Sequence, residues 1–372
     1  MFSINHAVLH VLDFESCVTV ISQEELDLEN KNVKSYVARM CKHALGGMSN
    51  RRGEFFPDSP FASELDAYLC GDVAFMDLSA QIADFLSAEF SRMEKPTSCD
   101  VLVVDFEDEP PAQVREEDNS DDEADGEGSQ EVAAPAPTAE DAAAYAARST
   151  RYFAILLLES KPAFMHEVAR GDAGGTVNSI ERHHAILPNP SQKLSSYAFI
   201  DVRSRAIRFL DKERTVAGEP RWVLPEGLLS CTNDLSSKEL FDATIELVCD
   251  VAEEFGVNST EAIGRAKAYM AANASDDDEV PFDEFVDDVF EDEGPRRRFE
   301  EAAAAEQLGE GVRVERTVAS RAGRNHKIVT DTGIVVTFPA EYSRNTELIE
   351  FSSTPNGLIK IELKNIGSIE NR

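Results

Sequence analysis

Apolar positions along the chain switch between two periods, and the switches mark its organisation. AVLHVLDF and CVTVIS are short strand-like runs, and NKNVKSYVARMCKHALGG then sets Val33, Tyr36, Val37, Met40, Ala44 and Leu45 at helical spacing before stopping at Gly46. A second helix is expected to start at Ser59, with Pro60 in its first turn, and to continue through Leu65, Tyr68, Phe75, Ile82, Leu86 and Phe90. VLVVDF (101–106) and YFAILLL (152–158) are continuous apolar runs of the kind found in central strands. IERHHAIL, AFIDV and AIRFL read as further strands, with Arg203, Ser204 and Arg205 at a hairpin tip.

From Trp222 the period becomes helical. Ser236 and Glu239 form a capping box ahead of Leu240, Phe241, Thr244, Leu247, Val248 and Val251, and Gly256 closes that helix. Another helix follows Asn258 to Thr260. A third carries Phe282, Phe285, Val286, Val289 and Phe290 on one stripe, opposite Asp283, Glu284, Asp287 and Asp288. The last sixty or so residues return to strands, HKIVTD, GIVVTFP, LIEFSS and LIKIELKNI, with turn signals at Thr332-Gly333 and Asn356-Gly357. The fold class is therefore α+β: a mixed-sheet N-terminal domain (1–225), a helical region (226–308) and a small antiparallel β unit (309–372).

Between the two central runs lies REEDNSDDEADGEGSQEVAAPAPTAEDAAA. Low hydrophobicity and high charge predict that the insert at 107–149 is disordered and serves as an elongated hairpin connection, with a short Ala-rich helix capped by Thr138 and Asp141 near its end. Charge is concentrated there. Of the net −34, Asp105 to Tyr145 holds 15 acids against the single Arg115, and Ser275 to Gly294 holds 11 acids and no base. The remainder of the chain carries only −9, the charge left after those −14 and −11 stretches. A local patch can therefore differ in sign from the total.

Candidate chemistry is sparse. The six cysteines, at 17, 41, 70, 99, 231 and 249, have neither zinc-site nor disulfide-framework spacing, and Cys41, Cys70 and Cys249 sit in apolar helical pattern as core thiols of a reducing compartment. Asp331-Thr332-Gly333 has the letters of an aspartic-protease loop, but it occurs once, is followed by Ile334, and fits a β-turn. The EF-hand-like acids from Asp121 to Glu127 end on Val132 at the twelfth position, and His183-His184 point to opposite faces of a strand. No phosphate loop, dinucleotide fingerprint, nucleophile elbow or zincin motif is present. A non-enzyme without cofactor or metal is expected. No signal-peptide pattern opens the chain and no apolar run is long enough to span a bilayer, which predicts a cytoplasmic protein with no membrane contact.

Two basic clusters remain as candidate nucleic-acid contacts. Arg203, Arg205, Arg208, Lys212 and Arg214 surround one hairpin; Arg313, Arg316, Arg321, Arg324 and Lys327 stand at the start of the C-terminal β unit, beside Arg296 to Arg298. The bland alternative is that these arginines make internal ion pairs with the many acids.

The order of segments carries a resemblance. INHAVLHVLD, SYAFIDVRSRAIRFLDKE, WVLPEGLLSCTNDLSSKELFDATIELV and TDTGIVVTFPAEYSRNTELIEFSSTPNGLIKIELKNIGSI together resemble the bacterial nucleoid-associated protein family of the YejK/NdpA type, over nearly the whole chain apart from the insert. The resemblance implies a cytoplasmic, nucleoid-localised, non-catalytic protein that associates with double-stranded DNA, with other nucleoid proteins as further partners and homo-oligomers compatible with it. The alternative is an acidic protein-interaction module recruited to the nucleoid through protein partners. Under the DNA-binding reading the insert is expected to act as an intramolecular competitor, a polyanion that occupies basic patches and weakens DNA binding. Removal of 107–149 is expected to tighten duplex binding and change its salt dependence, read by fluorescence anisotropy across a salt series; unchanged affinity and slope would make the insert only a spacer.

Overall fold

The computed structural model describes residues 2–108, 149–159, 161–170, 176–275, 279–306, 308, 311–353 and 359–368. Glu107 and Asp108, expected to begin the disordered insert, instead end a strand and pair with Arg151 and Thr150, because the ladder runs on past the apolar run. The rest of the insert from 109 to 148 with its expected short helix, the EF-hand-like acids and the Asn356-Gly357 turn fall outside the described residues. The chain divides into two compact units, Met1–Gly47 with Arg52–Asn233, and Met48–Arg51 with Asp234–Arg372.

The first unit is built on a seven-stranded antiparallel sheet. Its elements begin with β1 (Phe2–Asp13), β2 (Val18–Val20), helix α1 (Lys31–Leu45), β3 (Arg51–Gly53), α2 (Pro60–Cys70), α3 (Phe75–Ser91), β4 (Cys99–Asp108) and β5 (Thr150–Glu159). There follow β6 (Lys161–Arg170), β7 (Thr176–Ile186), β8 (Tyr197–Asp201), β9 (Ile207–Leu210), β10 (Glu213–Val216) and β11 (Glu219–Trp222). The sheet order is β2-β1-β4-β5-β8-β9-β3. The two central apolar runs are direct partners, in register from Cys99↔Glu159 to Asp108↔Thr150, so the acidic insert joins the open end of one hairpin.

Both faces of that hairpin are covered, which explains its continuous apolar sequence. Val101, Val103, Phe153, Ile155 and Leu157 pack with Phe61 and Leu65 of α2 and Leu78, Ile82 and Leu86 of α3. Leu102, Val104, Phe106, Ala154, Leu156 and Leu158 pack with Val37, Met40, Cys41 and Ala44 of α1 on the opposite side. Alternate residues of one strand thus feed two cores.

Differences from the sequence expectation are local. The single long helix after Ser59 is two helices, because Gly71 takes a left-handed conformation at φ 83° and its N–H bonds to the Tyr68 carbonyl at 3.0 Å. Lys161–Arg170 is a strand, paired with β7 in a separate two-stranded ribbon on which Phe164 and Ile180 are exposed. Its sequence mixes charge, proline and apolar residues without the alternation that marks a covered strand. Of the cysteines expected in cores, Cys41 is buried but Cys70 is exposed and Cys249 half-buried.

The buried carboxylates of this unit include Asp100, Asp105 and Asp211. Asp105, fully buried in β4, accepts from Arg151 Nε at 2.9 Å and Arg151 Nη2 at 2.5 Å, from Tyr68 Oη at 2.6 Å and from Asn5 Nδ2 at 3.0 Å. Four donors compensate its desolvation. Burial and this acceptor push the Tyr68 hydroxyl pKa up, keeping it a donor. Asp105→Asn replaces the ionic acceptor with an amide, leaves Arg151 and Tyr68 imperfectly matched, and is expected to cost about 2–4 kcal/mol in urea unfolding.

The second unit holds α4 (Ser237–Glu254), α5 (Ser259–Asn273), β12 (Val280–Pro281), α6 (Phe282–Val289), α7 (Glu293–Ala305), β13 (Gly311–Val312), α8 (Arg316–Gly323), β14 (Asn325–Val329), β15 (Val335–Pro339), β16 (Ile349–Ser353) and β17 (Ile359–Leu363). The capping box is present: Ser236 Oγ accepts from the Glu239 N–H at 3.1 Å and Glu239 Oε2 from the Ser236 N–H at 2.8 Å. Phe241, Val248, Val251, Ala262, Ala266, Met270, Phe285 and Phe299 form the core of the helices. β14 pairs with β15 and β16 with β17 as two antiparallel hairpins.

Candidate nucleic-acid interface

The two basic clusters have different fates. Around the β8–β9 hairpin, Arg205 sits at φ 63° and pairs with Asp66; Lys212 pairs with Glu159. The Arg214 side chain is only 8 % exposed. Its guanidinium donates to Asp211 Oδ1 at 2.5 Å, Ser196 Oγ at 2.6 Å and the Lys212 carbonyl at 3.1 Å, and lies 5.4 Å from the centre of the Phe90 ring. These three side chains hold strands and helices together, as the bland alternative expects. Arg203 and Arg208 are exposed on the same hairpin, the Arg203 N–H bonding to Asp201 Oδ1 at 2.7 Å.

The second cluster is arranged otherwise. Arg313, Arg316, Arg321, Arg324 and Lys327 are all exposed, and among the described residues none of Arg313, Arg321, Arg324 and Lys327 makes an ion pair. A helix, α8, organises them, an element the periodicity did not reveal because it is eight residues long and its apolar stripe is only Val318, Ala319 and Gly323. At 100° per residue, Arg316, Arg321 and Arg324 fall within an arc of about 140° facing away from that stripe. β14 continues the surface: Lys327 is exposed while its neighbour His326 is buried. The adjacent arginines are spent internally, Arg296 on Asp287 and the Phe290 carbonyl, Arg297 on Glu301 and Arg298 on Glu254.

Two glycines let this surface sit close on the helices. A Cβ at Gly323 would lie 2.6 Å from the Lys267 carbonyl oxygen and 3.0 Å from Ala271 Cβ, so α8 can rest on α5 only because the position has no side chain. A Cβ at Gly264 would overlap Ser343 Oγ and lie 3.0 Å from His326 Nδ1. His326 is therefore pressed against α5, with its ring 5.4 Å from that of Phe338. Burial, and secondarily the charge of Lys267, lower its pKa from 6.5 to about 4.

Asp331-Thr332-Gly333 is a turn, as its flanks predicted: the Gly333 N–H donates to the Thr330 carbonyl at 2.9 Å, and Asp331 is exposed. Among the described residues no group of three or more His, Cys, Asp or Glu side chains is placed to hold a metal ion. Nor is any helix among them long and apolar enough to cross a membrane.

The molecule is thus an α+β protein in which, among the described residues, exposed cations without ion pairs gather on one helix and hairpin. The chain belongs to the nucleoid-associated protein YejK family, whose model matches residues 8–116 and 140–370, nearly the whole length. The unmatched stretch 117–139 lies inside the acidic insert. No curated protein matches the chain.

His326 makes the stability of the second unit depend on pH. Between pH 6.5 and about 4 the unfolded chain binds a proton on this imidazole that the folded protein excludes, so stability falls as pH drops through that window and the loss levels off below it. Urea unfolding monitored from pH 7.5 to 4 is expected to show this decline, and His326→Phe to reduce it.

Proposed function

We propose that this protein binds double-stranded DNA weakly and without sequence preference, through the exposed cations of α8 and β14. Arg313, Arg316, Arg321, Arg324 and Lys327 neutralise backbone phosphates, and the displaced counterions supply the free energy. The observation that carries this reading is the absence of ion pairs at Arg313, Arg321, Arg324 and Lys327 among the described residues, in a chain with 70 acids. Unpaired cations retain their full charge for an incoming polyanion. Membership of a nucleoid-associated family supports the same partner.

Net charge does not forbid it. At physiological ionic strength charges beyond about 8 Å are largely screened, so the patch is felt at contact and the remaining acids mainly slow the approach. Arg203 and Arg208 form a secondary contact, whereas Arg205, Lys212 and Arg214 act chiefly within the fold.

The competing reading, an acidic module that reaches the nucleoid through protein partners, draws on the acidic stripe of α6. Part of that stripe is already engaged: Asp287 pairs with Arg296, Asp288 with Arg344, and Glu284 accepts from Tyr269 Oη at 3.3 Å. The two readings separate in one titration of full-length protein against duplex DNA across a salt series. Replacing Arg321, Arg324 and Lys327 with alanine is expected to reduce the slope of log affinity against log salt by about 2.7, at about 0.9 for each phosphate no longer neutralised. Absence of binding by the unmodified protein at low salt would favour the acidic module.

A further inference from the structure

The β14–β15 hairpin ends in three exposed apolar side chains, Val329 at 62 %, Ile334 at 60 % and Val335 at 53 %. Val329 and Val335 are direct partners in the ladder and so project on one face, and Lys327 and Thr337 form the next pair down on that same face. The other face is anchored: His326 and Phe338 are buried, and Phe338 lies 6.0 Å from the Phe351 ring. Val329, Ile334 and Val335 lie outside the core of the unit formed by the described residues.

The tip is also stiff. The Thr330 N–H donates to the Ile334 carbonyl at 2.9 Å, the Gly333 N–H to the Thr330 carbonyl at 2.9 Å, and the Ile334 N–H to Thr330 Oγ1 at 2.9 Å, with Gly333 at φ 84°. A turn bonded this way presents its apolar residues without first having to be ordered. Lys327 stands one pair below Val329 on the same face, and Arg324 and Arg321 follow at the base of the hairpin where α8 leads into β14; all three are exposed and without ion pairs among the described residues.

We propose that this tip is an apolar wedge that inserts between base steps from the minor groove of bound duplex DNA and bends it, while Lys327 and the arginines at the base of the hairpin hold the flanking phosphates. The inference rests on the DNA-binding reading and extends it from attachment to deformation. Charge complementarity selects the occupant. Three side chains on one turn are also far smaller than the roughly 800 Å² per partner of a stable protein interface.

The expected consequence follows from dimensions. Two strands about 4.8 Å apart, with their side chains, are wider than a minor groove of about 6 Å, so the ribbon can enter only by opening the groove and unstacking a step. Such wedges bend duplexes by roughly 20–90°. The exposed Asp331 at the same tip opposes phosphate and weakens the contact, keeping binding loose and reversible.

The test uses full-length protein and a short duplex labelled at its ends with a donor and an acceptor, with affinity measured in parallel by anisotropy at several salt concentrations. Unmodified protein is expected to increase energy transfer on binding. The triple variant Val329→Thr, Ile334→Thr, Val335→Thr keeps β-branched residues; it should retain the salt slope, lose no more than about ten-fold in affinity, and lose the increase in energy transfer. Asp331→Asn should tighten binding while preserving the bend. Binding without bending by the unmodified protein, or undiminished bending by the triple variant, overturns the wedge but leaves DNA attachment standing. No binding at low salt overturns both. A change in sedimentation of the triple variant without DNA would instead identify the tip as a self-association surface and overturn the wedge.

Discussion

The pairing of β4 with β5 is the constraint on which the first unit depends. Ten residues of each strand run in unbroken register, and alternate side chains enter cores on opposite faces of the sheet. A hairpin covered on both faces leaves the chain one place to expand, its open end. The stretch that the family model leaves unmatched, 117–139, falls in the connection at that end. Asp105, like Asp100, is a carboxylate buried in that ladder, and it is tolerated because donors from β1, α2 and β5 converge on it.

The second unit solves a different problem, that of holding cations on the outside of an acid-rich chain. Acids of α4 and α6 attract Arg296, Arg298 and Arg344 into internal pairs. Among the described residues Arg321, Arg324 and Lys327 make no such pair, because the helix is turned by its stripe of Val318, Ala319 and Gly323, which rests against α5 and leaves Arg321 and Arg324 on the opposite side. Surface chemistry here follows from backbone approach. Gly323 and Gly264 carry no functional group, yet they set where Arg321, Arg324 and His326 stand.

Much of the architecture was legible before any coordinates. The helices at 31–45, 237–254, 259–273 and 282–289, the central strands and all four C-terminal strands follow from apolar period and capping residues, because each buries one continuous stripe or face. Less visible were the break at Gly71, where one helical period spans two helices, and α8, too short for a period to accumulate. The ribbon partner at 161–170 also gave no signal, since its sequence mixes charged, proline and apolar residues without alternation. Equally hidden was the division within the basic residues: Arg214 and Arg324 look alike as letters.

By itself the sequence determined the α+β class, the alternation of cores, the site of the insert, the family resemblance and the imbalance of charge, all of which depend on residue type and spacing along the chain. Only the tertiary structure decided which cations are spent. Whether an arginine meets Ser196 and the Phe90 ring, as Arg214 does, or faces water, as Arg324 does, depends on groups brought together from distant positions. Charge is written in the sequence, whereas its neutralisation is a property of distance.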